Sequence, residues 1–273
     1  MPTTQSNGIE LSYTDSGGDG RPVVLIHGWP LSGASWSEQI PALTGAGYRV
    51  ITYDRRGFGA STKPTDGYDY DTLSEDLAGL LDHLGVSDAT LVGFSMGGGE
   101  VARYLSSRGS ERVRSAVLAG AVPPFLLKTD DNPDGGLGDE DVEGMKAGFR
   151  EGRAEFLDGF SKDFFSVDGE LKVSEEQRQH ALSLTEPALD EAIEACIDAF
   201  GRTDFREDLA KIDVPVLVIH GDGDGIVPIE VSGHRSAEAI PDATLHVVKG
   251  GPHGFNVSHA DELNRALLEF LAD

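Results

Sequence analysis

Gly93-Phe94-Ser95-Met96-Gly97 sets one hydroxyl between two glycines. The apolar run Ala89-Thr90-Leu91-Val92 precedes it and reads as a buried strand. Gly98-Gly99-Glu100-Val101-Ala102-Arg103-Tyr104-Leu105 follows and reads as a helix. Gly-x-Ser-x-Gly between a strand and a helix is the sharp turn that lifts a nucleophilic serine clear of a sheet. The flanking glycines remove the side chains that would collide with neighbouring backbone. The helix N-terminus beneath Ser95 supplies unpaired N–H groups and partial positive charge, which suit a developing oxyanion. A Gly/Ser turn with no chemistry is the plainer reading; the flanking strand and helix favour a nucleophile.

A serine hydroxyl needs a base within hydrogen-bond reach, and the base needs an orienting acid. In a doubly wound sheet, these groups come from the carboxyl ends of strands. The strand ending at His220 runs into Gly221-Asp222-Gly223-Asp224-Gly225-Ile226-Val227-Pro228. The last strand runs into Gly250-Gly251-Pro252-His253-Gly254-Phe255. His253, between Pro252 and Gly254, is the candidate base. His259 lies near a helix start, where solvation or capping suits it better. His27 and His220 each precede a glycine at a strand end and read as hydrogen-bonding struts. Asp222 and Asp224 compete as the acid, and spacing leaves both open. For the oxyanion, one backbone N–H comes from Met96 and the other from the loop after His27-Gly28, most simply Trp29. Pro30 pushes Trp29 towards extended geometry; it either aims the Trp29 carbonyl into the pocket or only stiffens the loop. Pro30, Phe94, Phe125 and Ile226 are candidates for the pocket wall. The Asp and Arg residues of Tyr53-Asp54-Arg55-Arg56-Gly57-Phe58-Gly59 read as structural. No metal or nucleotide motif appears.

The elements that must position these groups alternate. Strands are expected over Gly8–Tyr13 (an edge strand), Pro22–Gly28, Tyr48–Asp54, Ala89–Val92, Val113–Leu118, Pro215–His220 and Thr244–Val248. Helices are expected over Trp36–Leu43, Asp71–Leu84 and His259–Leu271. The fold class is therefore α/β: a doubly wound, mostly parallel sheet. Residues 122–206 break the rhythm, with helical patterns at Met145–Phe156, Glu175–Leu184 and Leu189–Phe200 and no strand pattern between them. They are expected to form an inserted helical cap, leaving 1–121 and 207–273 as the core.

Composition narrows the class. The 273 residues carry 47 Asp+Glu against 22 Lys+Arg, a net charge of −25, which argues against a nucleic-acid partner. A surface of this kind either keeps the protein soluble or adapts it to high salt, where mobile ions screen self-repulsion. No apolar run approaches the ~18 residues of a membrane span, so no membrane partner is expected. No secretory pattern is visible at the start, and a cytoplasmic protein is expected. The one cysteine, Cys196, excludes an internal disulfide and reads as a packing residue.

From about Gly8 onward the chain resembles the α/β-hydrolase superfamily. More narrowly, it is similar to the cofactor-free haloperoxidases (perhydrolases, or non-haem chloroperoxidases) and the aryl esterases beside them. The resemblance rests on Val24-Leu25-Ile26-His27-Gly28-Trp29-Pro30, Tyr53-Asp54-Arg55-Arg56-Gly57-Phe58-Gly59, Gly93-Phe94-Ser95-Met96-Gly97-Gly98-Gly99-Glu100-Val101 and Gly250-Gly251-Pro252-His253-Gly254. It implies Asp224 as the acid, through Gly221-x-x-Asp224-x-x-x-Pro228, and Trp29 and Met96 as oxyanion donors. It also implies no cofactor, and a small ester or carboxylic acid as substrate with water or hydrogen peroxide. It allows self-association into a homo-oligomer. A lactonase or carbon–carbon hydrolase would share the three residues and differ in the cap. A non-enzymatic ligand receptor would have no need of the intact set.

Overall fold

The computed structural model describes residues 1–272. Its first half lays down β1 (Thr3–Ser6), β2 (Ile9–Asp15), β3 (Pro22–Ile26), a 3-10 turn (Gly33–Trp36), α1 (Gln39–Gly45) and β4 (Arg49–Tyr53). It continues with α2 (Tyr70–His83), β5 (Ala89–Phe94), α3 (Met96–Arg108) and β6 (Val113–Ala119). Then follow α4 (Asp139–Glu151), α5 (Arg153–Phe164), a short hairpin of β7 (Ser166–Val167) and β8 (Glu170–Leu171), α6 (Glu175–Ser183) and α7 (Asp190–Arg202). The chain closes with α8 (Arg206–Leu209), β9 (Val216–Gly221), α9 (Gly233–Ala239), β10 (Ala243–Val248), α10 (Phe255–Ser258) and α11 (Ala260–Ala272).

Eight strands form one sheet in the order β1-β2-β4-β3-β5-β6-β9-β10. The pairs β1–β2 and β2–β4 are antiparallel; every later pair is parallel. The β-branched runs are buried on both faces, as parallel strands under two helical layers must be. In β3, Val24 and Ile26 pack into the layer that holds Leu73, Leu77 and Leu80 of α2. Val23 and Leu25 face the opposite layer, with Leu43 of α1 and Leu263 and Leu267 of α11. Strand order reverses between the neighbours β3 and β5. Their carboxyl ends therefore open a crevice, which is where open α/β sheets bind ligands. Among the described residues, no helix is long and apolar enough to cross a membrane.

Several expectations need correction. The strand expected as an edge, β2, has β1 outside it. Thr3, Thr4, Gln5 and Ser6 carry no hydrophobic alternation; the available signal was Asn7-Gly8, whose φ values of 45° and 79° form a tight hairpin turn. The helical pattern Met145–Phe156 is two helices, because Gly152 interrupts it at φ −169°, ψ 89°. Trp36–Leu43 likewise splits into the 3-10 turn and α1, and α9 was not anticipated. Residues 122–206 hold α4 to α7, but they also contain the β7–β8 hairpin, so the segment is not wholly helical.

The close approach of α3 to β5 depends on missing side chains. A Cβ at Gly93 would lie 2.4 Å from the Gly97 carbonyl oxygen, and one at Gly97 would lie 2.6 Å from that of Ile26. Both obstacles are backbone and cannot swing aside. Gly93→Ala is therefore expected to destabilise the fold by about 1–3 kcal/mol. Gly159→Ala should instead stabilise by about 0.5–1 kcal/mol, because Gly159 lies within α5 with open space where its Cβ would be. Urea unfolding midpoints of the two variants check the opposite signs.

Candidate active site

Ser95 stands between β5 and α3 at φ 54°, ψ −120°. This conformation is rare for a residue with a side chain, and neighbouring bonds hold it. The Ser95 N–H donates to the Ala119 carbonyl at 2.9 Å, and the Ser95 carbonyl accepts from the Gly98 N–H at 3.0 Å. The hydroxyl is thereby directed away from the helix that starts beside it.

The loops after β9 and β10 bring the other two groups to Ser95. His253 Nε2 is 2.9 Å from Ser95 Oγ, and His253 Nδ1 is 2.7 Å from Asp224 Oδ2. A carboxylate only accepts, so Nδ1 carries the proton in the neutral ring and Nε2 is left to accept from the serine. The three side chains are nearly closed to solvent: Ser95 is 7% exposed, Asp224 5% and His253 1%. Burial alone would raise the pKa of Asp224. His253 and the hydrogen bonds from His220 and His253 outweigh it and hold the carboxyl well below the usual carboxylate range. Asp224 Oδ1 also accepts from the Ile226 and Val227 N–H groups at 2.9 and 2.8 Å. Asp222, its competitor in the sequence, is exposed and accepts from the Gly250 N–H at 2.6 Å.

Trp29 and Met96 flank this group. A Cβ at Gly28 would lie 3.1 Å from Ser95 Cβ, so the loop after β3 runs directly against the serine. Among the described residues, neither the Trp29 nor the Met96 backbone N–H has a hydrogen-bond partner in the loops and turns. Leu31 N–H closes the loop onto the Gly28 carbonyl at 3.1 Å. The Trp29 indole donates to the Ile193 carbonyl of α7 at 3.1 Å and packs edge-on against Phe160 of α5, ring centroids 5.0 Å apart.

A cavity of about 50 Å³ opens at Ser95. The core lines it with Trp29, Ile226 and Val227; Val122, Leu126 and Leu137 come from the connection after β6. Met145 of α4, Phe160 of α5 and Phe200 of α7 complete the wall, so Ser95 is its one polar residue. Of the four expected wall residues, only Ile226 lines this cavity. Phe94 points to the other face of the sheet, because successive strand side chains alternate. There its ring supports the His253 ring at 5.3 Å, and Phe164 covers the same imidazole at 5.0 Å. Phe125 turns under the Arg206 guanidinium, 5.3 Å from its ring centroid, and its neighbour Leu126 takes the wall position. Pro30 is buried in the closed loop away from the wall. The wall residues missed in the sequence are Val227 and apolar side chains scattered through the segment 122–206. Leu137 lies in an acidic stretch, so no periodic stripe marked it.

A profile of the α/β hydrolase fold matches residues 21–260. The chain belongs to the α/β-hydrolase fold family. It is 47% identical to a non-heme chloroperoxidase of Kitasatospora aureofaciens, over 98% of each chain. It is 38% identical to a bifunctional esterase/perhydrolase of Acinetobacter calcoaceticus, again over 98% of each. The crystal structure of a bromoperoxidase from Bacillus anthracis matches with a TM-score of 0.96 and 52% identity, each chain covered completely. Within the α/β hydrolases the protein therefore falls in the haloperoxidase and perhydrolase group, and it is an enzyme.

Beneath the site of this α/β hydrolase lies a buried polar network. His27 Nε2 accepts from the Arg55 N–H at 3.0 Å, and Nδ1 donates to the Gly28 carbonyl at 2.9 Å. Burial, with the positive charge of Arg55, pushes the His27 pKa well below its ordinary value, which agrees with a neutral ring. Arg55 also donates to the His27 carbonyl at 2.7 Å and pairs with Glu100 of α3 at 2.9 Å. Tyr53 donates its hydroxyl to the other oxygen of Glu100. Cys196, by contrast, is inert: burial pushes its thiol up to about 12. Arg55 and Glu100 are 1% and 0% exposed, so neither charge has water in place of its partner. Glu100→Leu is expected to cost about 3–5 kcal/mol, the usual penalty for stranding one member of a buried ion pair. Denaturant unfolding of the variant against wild type measures it.

Proposed function

We propose that this protein is a serine esterase with perhydrolase activity, in which Ser95 is the nucleophile, His253 the general base and Asp224 the orienting acid. The observation that carries the reading is the continuous relay Asp224 Oδ2–His253–Ser95 Oγ, with contacts of 2.7 and 2.9 Å, at the mouth of an otherwise apolar cavity.

The chemistry follows from the geometry. His253 Nε2 takes the Ser95 proton as Oγ attacks the ester carbonyl. The backbone N–H groups of Trp29 and Met96 receive the negative oxygen. His253 returns the proton to the leaving alcohol, and the acyl group stays on Oγ. Asp224, held ionised by its hydrogen bonds, stabilises the imidazolium between these steps. Water activated by the same imidazole then releases the carboxylic acid. Hydrogen peroxide in place of water releases the peracid, which oxidises halide in solution and is itself reduced to the acid. An apolar wall suits either course, since it holds an acyl chain and competes for no proton.

Residues 122–206 act in this reading as the cap that closes the cavity; Met145, Phe160 and Phe200 support it by lining the pocket. A cytoplasmic setting also belongs to the reading, and a single buried cysteine with no disulfide fits it. The surplus of 47 acidic over 22 basic residues supports adaptation to high salt.

Ser95→Ala should abolish both ester hydrolysis and peroxide-dependent halogenation, leaving the melting temperature near wild type. Parallel assays with a chromogenic acetate ester and with peroxide plus bromide check this. Halogenation that persists in the variant would refute a shared nucleophile. For salt, activity and melting temperature should both rise between ~0.1 and ~1 M KCl, as the screening length falls from about 10 to about 3 Å. A flat profile would count against salt adaptation.

A further inference from the structure

Asp224 is held by a second imidazole. His220, the penultimate residue of β9, is fully buried, and its Nε2 lies 2.8 Å from the Val227 carbonyl and 3.2 Å from Asp224 Oδ2. Both neighbours are acceptors, so Nε2 carries a proton; it donates to the Val227 carbonyl, and Asp224 Oδ2 lies beside it in ion-pair range. The other ring nitrogen, Nδ1, has no partner. It lies against Gly233, where a Cβ would come within 2.8 Å of it. The ring is thus oriented for what Nε2 touches.

The contact completes the shell around the acid. Asp224 Oδ1 accepts two backbone N–H groups, and Oδ2 accepts one N–H from His253, with His220 Nε2 3.2 Å away on its other side. A carboxylate offers about four lone-pair sites; three carry hydrogen bonds here, and the fourth side faces His220. Without His220, one side of Oδ2 would be empty, and only the Oδ1 bonds and the His253 bond itself would resist rotation of the carboxylate. His220 also fastens two points of one loop, Asp224 and Val227, to the end of a central strand.

We propose that His220 is a positioning residue for the relay. Its Nε2–H holds Oδ2 on the line to His253 Nδ1 and keeps that hydrogen bond short while His253 moves the proton. The inference rests on the catalytic roles proposed above for Asp224 and His253. It acts through Asp224 and requires no contact with substrate.

His220→Leu removes the donor, and His220→Gln replaces it with an amide N–H of similar reach. In His220→Leu, kcat for ester hydrolysis should fall roughly 10- to 100-fold, with KM within about twofold. The far-downfield proton resonance of the His253–Asp224 hydrogen bond should shift or broaden in the same variant. His220→Gln should restore most of both. If His220→Leu does not fold, His220→Asn, whose donor falls short of Asp224, takes its place with the same two outcomes. A wild-type kcat and an unmoved resonance in the donor-free variant would overturn the proposal. So would equal losses in the leucine and glutamine variants that follow their melting temperatures. The resonance is read without substrate, so a failure of the esterase reading, seen in Ser95→Ala, would be told apart from a failure of this one.

Discussion

Ser95 occupies a left-handed backbone conformation at the junction of β5 and α3, and the rest of the site depends on that junction holding. A residue with a side chain does not combine φ 54° with ψ −120° without support. The support is a strand with every residue buried, hydrogen bonds from Ser95 to β6 and into α3, and two glycines that let helix and strand meet at backbone distance. The same geometry lifts the hydroxyl from the sheet and brings the N-terminus of α3 beneath it. The serine hydroxyl and the open helix N-terminus thus come from a single turn.

A turn of this kind fixes only one side of a reaction centre. The other side is the loop after β3, and the buried network of His27, Arg55 and Glu100 joins the two. Arg55 reaches the loop through His27 and reaches α3 through Glu100, so the backbone N–H groups of Trp29 and Met96 are carried on parts that are tied together. Residues that read as structural in the sequence are structural, but what they structure is the spacing across the site. Trp29 extends the link outward, because its indole is bonded to α7 and packed against α5. The cavity wall and the loop after β3 therefore share one anchor.

The three loops that converge on Ser95 follow β3, β9 and β10, all in the parallel part of the sheet. Their convergence follows from the topology: parallel strands deliver their carboxyl ends to one edge, and the reversal of order between β3 and β5 opens the crevice there. Most of the cavity wall lies elsewhere, in the helices and connections between β6 and α8.

The sequence by itself determined the alternation of strands and helices, the turn at Ser95 and the candidate base His253. Each is encoded in a few contiguous residues: β-branched runs, paired glycines, a histidine between proline and glycine past a strand. Spacing left Asp222 and Asp224 equal, because two residues of one loop differ only in which is turned inward; the family resemblance pointed to Asp224. Tertiary structure buries Asp224 against two imidazoles and leaves Asp222 in solvent. It also decided the pocket. Phe94 and Phe125 are adjacent to wall positions in sequence but face elsewhere, since a strand alternates its faces and Arg206 draws the second ring away. Leu137, Met145, Phe160 and Phe200 meet only when separate elements pack together. A backbone turn is a local property and can be read from its own residues; a cavity wall is assembled from distant ones and exists only in the folded chain.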